Sequence, residues 1–261
     1  RDNDLVLPAQ LLQETGFHEV TSFLADPALK ADVSTDDWPF FYMPRRIYPL
    51  SYLMMVGMML VLSFLMTASF FAERPQFSQV PFFLLGAGFM LVETKGITEL
   101  GLTFGNSWQV IGVVIAGILV MAFLANWVVQ RLRIQRPLVP YLLLLASLSL
   151  GWLIAGRGGF PSTPLGRMEA TIVLTSPVFF SGIVFSTLLG SRGRIAGIMA
   201  VNLLGAMCGG LLEYNSMYFG FRALYVIAIV LYSLAFVWDA VALRTPEAQP
   251  LPAPAPVELP R

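Results

Sequence analysis

The sequence predicts an all-α fold: a polytopic transmembrane helix bundle of about seven spans, with a short polar segment in front of it. Three observations predict it. Hydrophobic residues make up 56% of the 261-residue chain and charged residues only 12%, against roughly 25% charged in soluble domains. Beyond residue 47 the apolar residues gather into seven segments, each near the ~20 residues a helix needs to cross a bilayer. The links between them are short and hold most of the Arg residues.

The segments lie near 50–72, 80–104, 107–129, 138–156, 168–190, 195–214 and 220–243. Hydrocarbon gives backbone N–H and C=O groups no water to bond, so each span must be helical. The fourth is close to the minimum length. Pro137 and Pro140 open it, where a missing N–H costs little. Pro177 lies inside the fifth and predicts a kink. Short links predict that consecutive spans pack side by side, the third against the fourth included. Small residues recur at four-residue spacing in Gly101/Gly105, Gly193/Gly197 and Gly205/Gly209, which predicts close helix approach, within one chain more readily than between two.

Three regions follow: a polar segment over 1–47, the bundle over 48–244 and a Pro/Ala-rich extended tail over 245–261. The polar segment is too short for an independent domain. It reads as the tail of a soluble domain that precedes it, or as a membrane-surface appendage. Its first 44 residues hold eight acids against Arg1 and Lys30. Asp36-Asp37-Trp38-Pro39 forms an acidic turn just before the first span. The turn is read as closing the segment onto the membrane, with Trp38, Tyr42, Tyr48 and Tyr52 as interfacial anchors.

Basic residues give the orientation. Arg131, Arg133 and Arg136 form the densest cluster, and seven spans put Arg74, Arg192, Arg194 and Arg244 on the same side. Arg45, Arg46, Arg157, Arg167 and Arg222 fall on the other. The positive-inside rule then places the C-terminus in the cytoplasm and the polar segment outside.

Charges inside spans are costly and mark pairs, cavities or sites. The second span holds Glu93, Lys95 and Glu99. Lys95 and Glu99 are four residues apart and share a helix face, so they are expected to pair. Glu93 points elsewhere and needs another partner or a proton. Glu213 and Arg222 flank one short link near the ends of their spans, which reads first as interfacial placement, with a pair across the link as the alternative, while Asn202 in mid-span is expected to bond between helices.

Net charge is zero, so nothing points to nucleic acid. Cys208 is the sole cysteine and His18 the sole histidine, which leaves no basis for a disulfide or a zinc site. Gly86-Ala87-Gly88 and Gly156-Arg157-Gly158-Gly159 lack the strand–turn–helix setting of a nucleotide loop. No cofactor is expected.

The second and third spans read FFLLGAGFMLVETKGITELGLTFGNSWQVIGVVIAGILVMAFLAN. With Pro177 and Gly182 in a later span, Asn202-Leu203-Leu204-Gly205-Ala206, Gly220-Phe221-Arg222 and the Thr35–Phe40 junction, this resembles the integral-membrane part of bacterial spermidine-synthase-like proteins. There a soluble aminopropyltransferase-type domain is fused to hydrophobic spans. The resemblance covers about residues 30–243 and carries over no catalytic residue. It implies a non-catalytic membrane domain in a bacterial cytoplasmic membrane. Such a domain is expected to serve as an anchor or accessory subunit; the resemblance supplies no partner, and it is the 20 Phe and 12 Met that offer broad faces for lipid or other membrane subunits. Two alternatives stay open: a small-cation or polyamine transporter using Glu93, Glu99 and Glu213, and the membrane part of an enzyme whose catalytic half lies outside this sequence.

Overall fold

The computed structural model describes residues 31–40, 42–70, 77–104, 108–158, 160–161, 163–191 and 195–242. His18, Arg74, Gly105, Asn106, Ser107, Arg192, Gly193, Arg194, Arg244 and the Pro/Ala-rich tail lie outside the described residues. Among the described residues there is no strand; the chain is a bundle of helices. These are α1 (Leu50–Phe70), α2 (Val80–Phe104), α3 (Trp108–Leu132), α4 (Leu138–Ala155), α5 (Pro164–Gly190), α6 (Ile195–Leu212), the short α7 (Ser216–Phe219) and α8 (Arg222–Ala242). Six of them, α2 to α6 and α8, are long and apolar enough to cross a membrane. The 21 residues of α1 would reach about 31 Å at 1.5 Å per residue, and they make the seventh helix of the predicted path.

Boundaries follow local chemistry. The fifth span begins at Pro164, four residues before its predicted start. Thr163 is its N-cap, its hydroxyl accepting from the Gly166 N–H at 3.1 Å, and Pro164 takes the first helical turn. Pro177 is buried inside that helix. After α6 the chain tightens into a 3₁₀ turn, Glu213–Asn215, and then α7. Gly220 ends α7 with φ 87°, a left-handed conformation that glycine adopts without a Cβ penalty.

Packing follows chain order only in part: consecutive α4 and α5 lie side by side and α2 touches α3, but the largest contacts join helices distant in the chain, which corrects the expectation that every consecutive pair is a neighbour, the third and fourth spans included. The central helix is α2, whose most extensive neighbours are α6 and α8, with α5 and α3 completing its surround. Helix α3 packs mainly on α5, and α4 packs on α5 and α8; α3 and α4 are joined by the Arg-rich link but are not principal neighbours. The reason is the placement of small residues. Gly205 and Gly209 of α6 lie against the backbone carbonyls of Phe83 and Ala87 of α2, so closely that a Cβ on either glycine would collide with them. That four-residue pair is therefore an intramolecular seam. Around α2 the core includes Leu91, Leu144, Leu148, Val178, Val184, Leu224 and Tyr232, each under 2% exposed. Helix α1 stands at the periphery, held by Tyr52 against Tyr214 and by Ser63 near the Met207 sulfur. Its Met54, Met55, Met58 and Met59 are exposed, as suits a lipid-facing helix.

Gly205→Ala is expected to lower stability in detergent by about 1–3 kcal/mol, the usual cost of overpacking. Gly117→Ala on α3, where a Cβ meets nothing within 4 Å, should leave it unchanged. Thermal unfolding of the two variants side by side checks the seam; equal stability would place α2 and α6 farther apart.

Candidate functional site

The polar groups gather at one end of the bundle, where the segment before α1, the C-terminal half of α2 and the first turn of α8 meet. Lys95 is 5% exposed. Its ammonium pairs with Glu99 Oε1 at 2.7 Å, one turn along the same helix. Glu99 Oε2 accepts from the Tyr225 hydroxyl of α8 at 2.8 Å. Lys95 also lies over the rings of Tyr225, at 5.3 Å, and Phe221, at 5.8 Å. An ammonium, a carboxylate and an aromatic wall thus satisfy one another away from water.

Thr94 sits one residue before Lys95 and faces α6 instead. Its hydroxyl donates to Glu213 Oε2 at 3.2 Å. Glu213 does not pair with Arg222, so the alternative of a bridge across the link is not realised. The reason is the α7 turn, after which Arg222 starts a new helix and lays its guanidinium on Trp152, 4.4 Å from the ring centroid. Gly156 leaves the room this needs, since a Cβ there would strike the guanidinium.

The acidic turn closes this end. Asp37 caps α8 from 185 residues away: the Arg222 N–H donates to its Oδ1 at 2.6 Å, and the Phe221 N–H donates to its backbone carbonyl at 2.7 Å. A carboxylate at a helix N-terminus satisfies orphan N–H groups and opposes the positive end of the dipole. Asp36 is exposed beside it. Trp38 is fully buried and donates from Nε1 to the Met217 carbonyl at 2.7 Å. It is therefore a core residue of the clamp and not the lipid-interface anchor expected of it, because the turn Thr35–Trp38 folds it inward through reciprocal backbone bonds. Phe40 stacks on Phe221. Tyr48 stacks on Tyr218 and donates to Asn215 Oδ1 at 3.0 Å. Burial, with Tyr218 beside it, pushes the Tyr48 hydroxyl above its ordinary range, so it stays a neutral donor.

Two predicted residues lie apart from this cluster. Asn202 Nδ2 donates to the Phe82 carbonyl at 2.9 Å, bonding α6 to α2. Glu93 is partly buried, and no hydrogen bond or ion pair joins it to another described residue. Sequence reasoning missed two further features. A cavity of about 190 Å³ between α2, α3, α5 and α6 is lined by Asn126, Ser181, Ser186 and Asn202 among apolar side chains. There the Ser186 hydroxyl donates to Asn126. At the opposite end of the bundle, Asp239 is 3% exposed in α8 and Gln79 is 8% exposed, beside Trp238, which donates to the Phe77 carbonyl at 3.1 Å. Each is a polar residue interrupting an apolar run, the same signal that drew attention to Asn202. Among the described residues no group of three His, Cys, Asp or Glu side chains could hold a metal.

Lys95→Met leaves Glu99 buried without its cation and is expected to destabilise by about 3–5 kcal/mol. The double variant Lys95→Met/Glu99→Leu should recover much of that loss, because no charge is stranded. Chemical unfolding in mixed micelles checks the cycle; a double variant no more stable than Lys95→Met would mean the charges are needed for more than each other.

Compared with protein-family models, curated proteins and solved structures, the chain matches none.

Proposed function

We propose that this chain is a non-catalytic membrane domain, an anchor and accessory subunit that holds the segment before α1 in fixed geometry on the bundle. One observation carries the proposal: the clamp. Asp37 caps α8 and Trp38 is buried beneath the same end, so the chain leaves the membrane from a rigid point. A simple tether needs no such lock, whereas a mount that positions a soluble domain or a neighbouring subunit does. The resemblance to spermidine-synthase-like membrane proteins supports this role, with the mounted part being what precedes Thr35. The polar groups within the bundle support it too, since Lys95, Glu99, Thr94, Glu213 and Asn202 bond to one another or to neighbouring helices. The membrane we assign is the bacterial cytoplasmic membrane, with the C-terminus inside. One observation favours the transporter alternative: no hydrogen bond or ion pair joins Glu93 to another described residue; proteoliposome uptake of methylammonium that Glu93→Gln abolishes would establish it.

Spin labels at Val33 and Arg157, both exposed, in a Cys208→Ala background test the mount. A narrow distance distribution is expected by pulsed electron resonance, and Trp38→Ala should broaden it while helix content is retained. A distribution unchanged by Trp38→Ala would overturn the proposal. Orientation is checked separately. A Gln135→Cys label site, exposed in the link after α3, should resist an impermeant maleimide applied to intact cells and react after permeabilisation.

A further inference from the structure

Behind the clamp lies a cavity of about 160 Å³, lined by Phe40, Tyr214, Met217, Phe221, Gly210 and Glu213. We infer that it binds a small alkylated ammonium, with the Glu213 carboxylate as counter-ion. The inference goes beyond the anchoring role and does not require transport.

Glu213 is the acid of this wall, and among the described residues no cation pairs with it. Among the described residues its partner is the neutral Thr94 hydroxyl, on Oε2 alone. Two cations of this end of the bundle are committed elsewhere, Lys95 to Glu99 and Arg222 to the face of Trp152. A carboxylate in an apolar recess is stabilised by a cation from outside. A metal ion is a poor fit, because hard cations take six or more oxygen ligands and no metal-holding group of side chains exists among the described residues.

The walls set the rest of the chemistry. Phe40 and Phe221 stack on each other with 10° between their planes, and Met217 adds a thioether. These surfaces accept methyl or methylene groups, and besides Glu213 the only lining side chains with a hydroxyl to accept an N–H are Ser216 and Tyr214, few for an unsubstituted ammonium with four N–H bonds to satisfy. An alkylated nitrogen keeps its charge and needs few hydrogen bonds. Gly210 gives independent support for open space: a Cβ added there meets nothing within 4 Å. Since Phe40 belongs to the clamp and Glu213 to the bundle, a bound cation bridges the two and holds the clamp closed.

The same chemistry occurs in a phosphatidylcholine headgroup and in a free solute, and both sources can be tested. Tetramethylammonium is titrated into the full chain in phosphatidylglycerol nanodiscs, with thermal unfolding as the readout. A saturable stabilisation is expected. Repeating it in phosphatidylcholine nanodiscs separates the sources: no further stabilisation means that the lipid headgroup already fills the site, and an undiminished shift means a free solute does. Glu213→Gln should abolish the response. Gly210→Leu, which fills the cavity without breaking the helix, should abolish it while keeping the unliganded stability at or above that of the parent. No saturable shift in phosphatidylglycerol, or a full response in Gly210→Leu, would overturn the site. Either result leaves the Val33–Arg157 distance unaffected, so failure of the site is distinct from failure of the mount.

Discussion

Lys95 cannot stand in hydrocarbon alone. An ammonium stripped of water at that depth needs a counter-charge and a polarisable surround, and both must come from neighbouring chain. Glu99 supplies the charge one turn along the same helix, and Tyr225 and Phe221 supply the wall. Because those aromatics belong to α8 and the stretch just before it, the requirement fixes α8 against α2. The Tyr225 hydroxyl on Glu99 then sets the rotation of α8 about its own axis. With α8 so placed, its first turn faces the segment before α1, where Asp37 and Trp38 complete the end of the bundle.

A second constraint acts from the other side of α2. The glycines of α6 bring two backbones together, and such contact in lipid depends on van der Waals fit, since hydrocarbon gives helices no hydrophobic drive to associate. Asn202 adds a hydrogen bond to the Phe82 carbonyl on the same seam. Helix α2 therefore has a charged face toward α8 and a small-residue face toward α6. The remaining spans pack around this three-helix centre, and α1 is left at the edge with its Met-rich surface toward lipid.

The clamp couples the polar segment before α1 to the helix bundle in a specific way. Capping a helix from 185 residues away makes the N-terminus of α8 dependent on the polar segment, and the buried Trp38 makes that segment dependent on the bundle. Neither end is free to move without exposing orphan N–H groups or a large indole. The cavity beside Phe40 and Glu213 lies at this joint, so occupancy there acts on the joint directly.

The sequence by itself determined the membrane class, the helical state of every span and the Lys95–Glu99 pair. Each follows from a local rule: hydrocarbon forbids unpaired backbone, and residues four apart on a helix are neighbours. It also located Glu213, Arg222, Asn202 and Asp37 as polar residues out of place. Only the tertiary structure decided what they touch. Helical spacing says which residues share a face but not which helix that face meets. The partners of Glu213 and Asp37 lie 119 and 185 residues away in the chain. Short links suggested a serial arrangement, yet helices joined by a link need not pack together. Shape complementarity of small and large side chains outweighs connection length, which is why α2 lies against α6 and α8 and Trp38 lies inside.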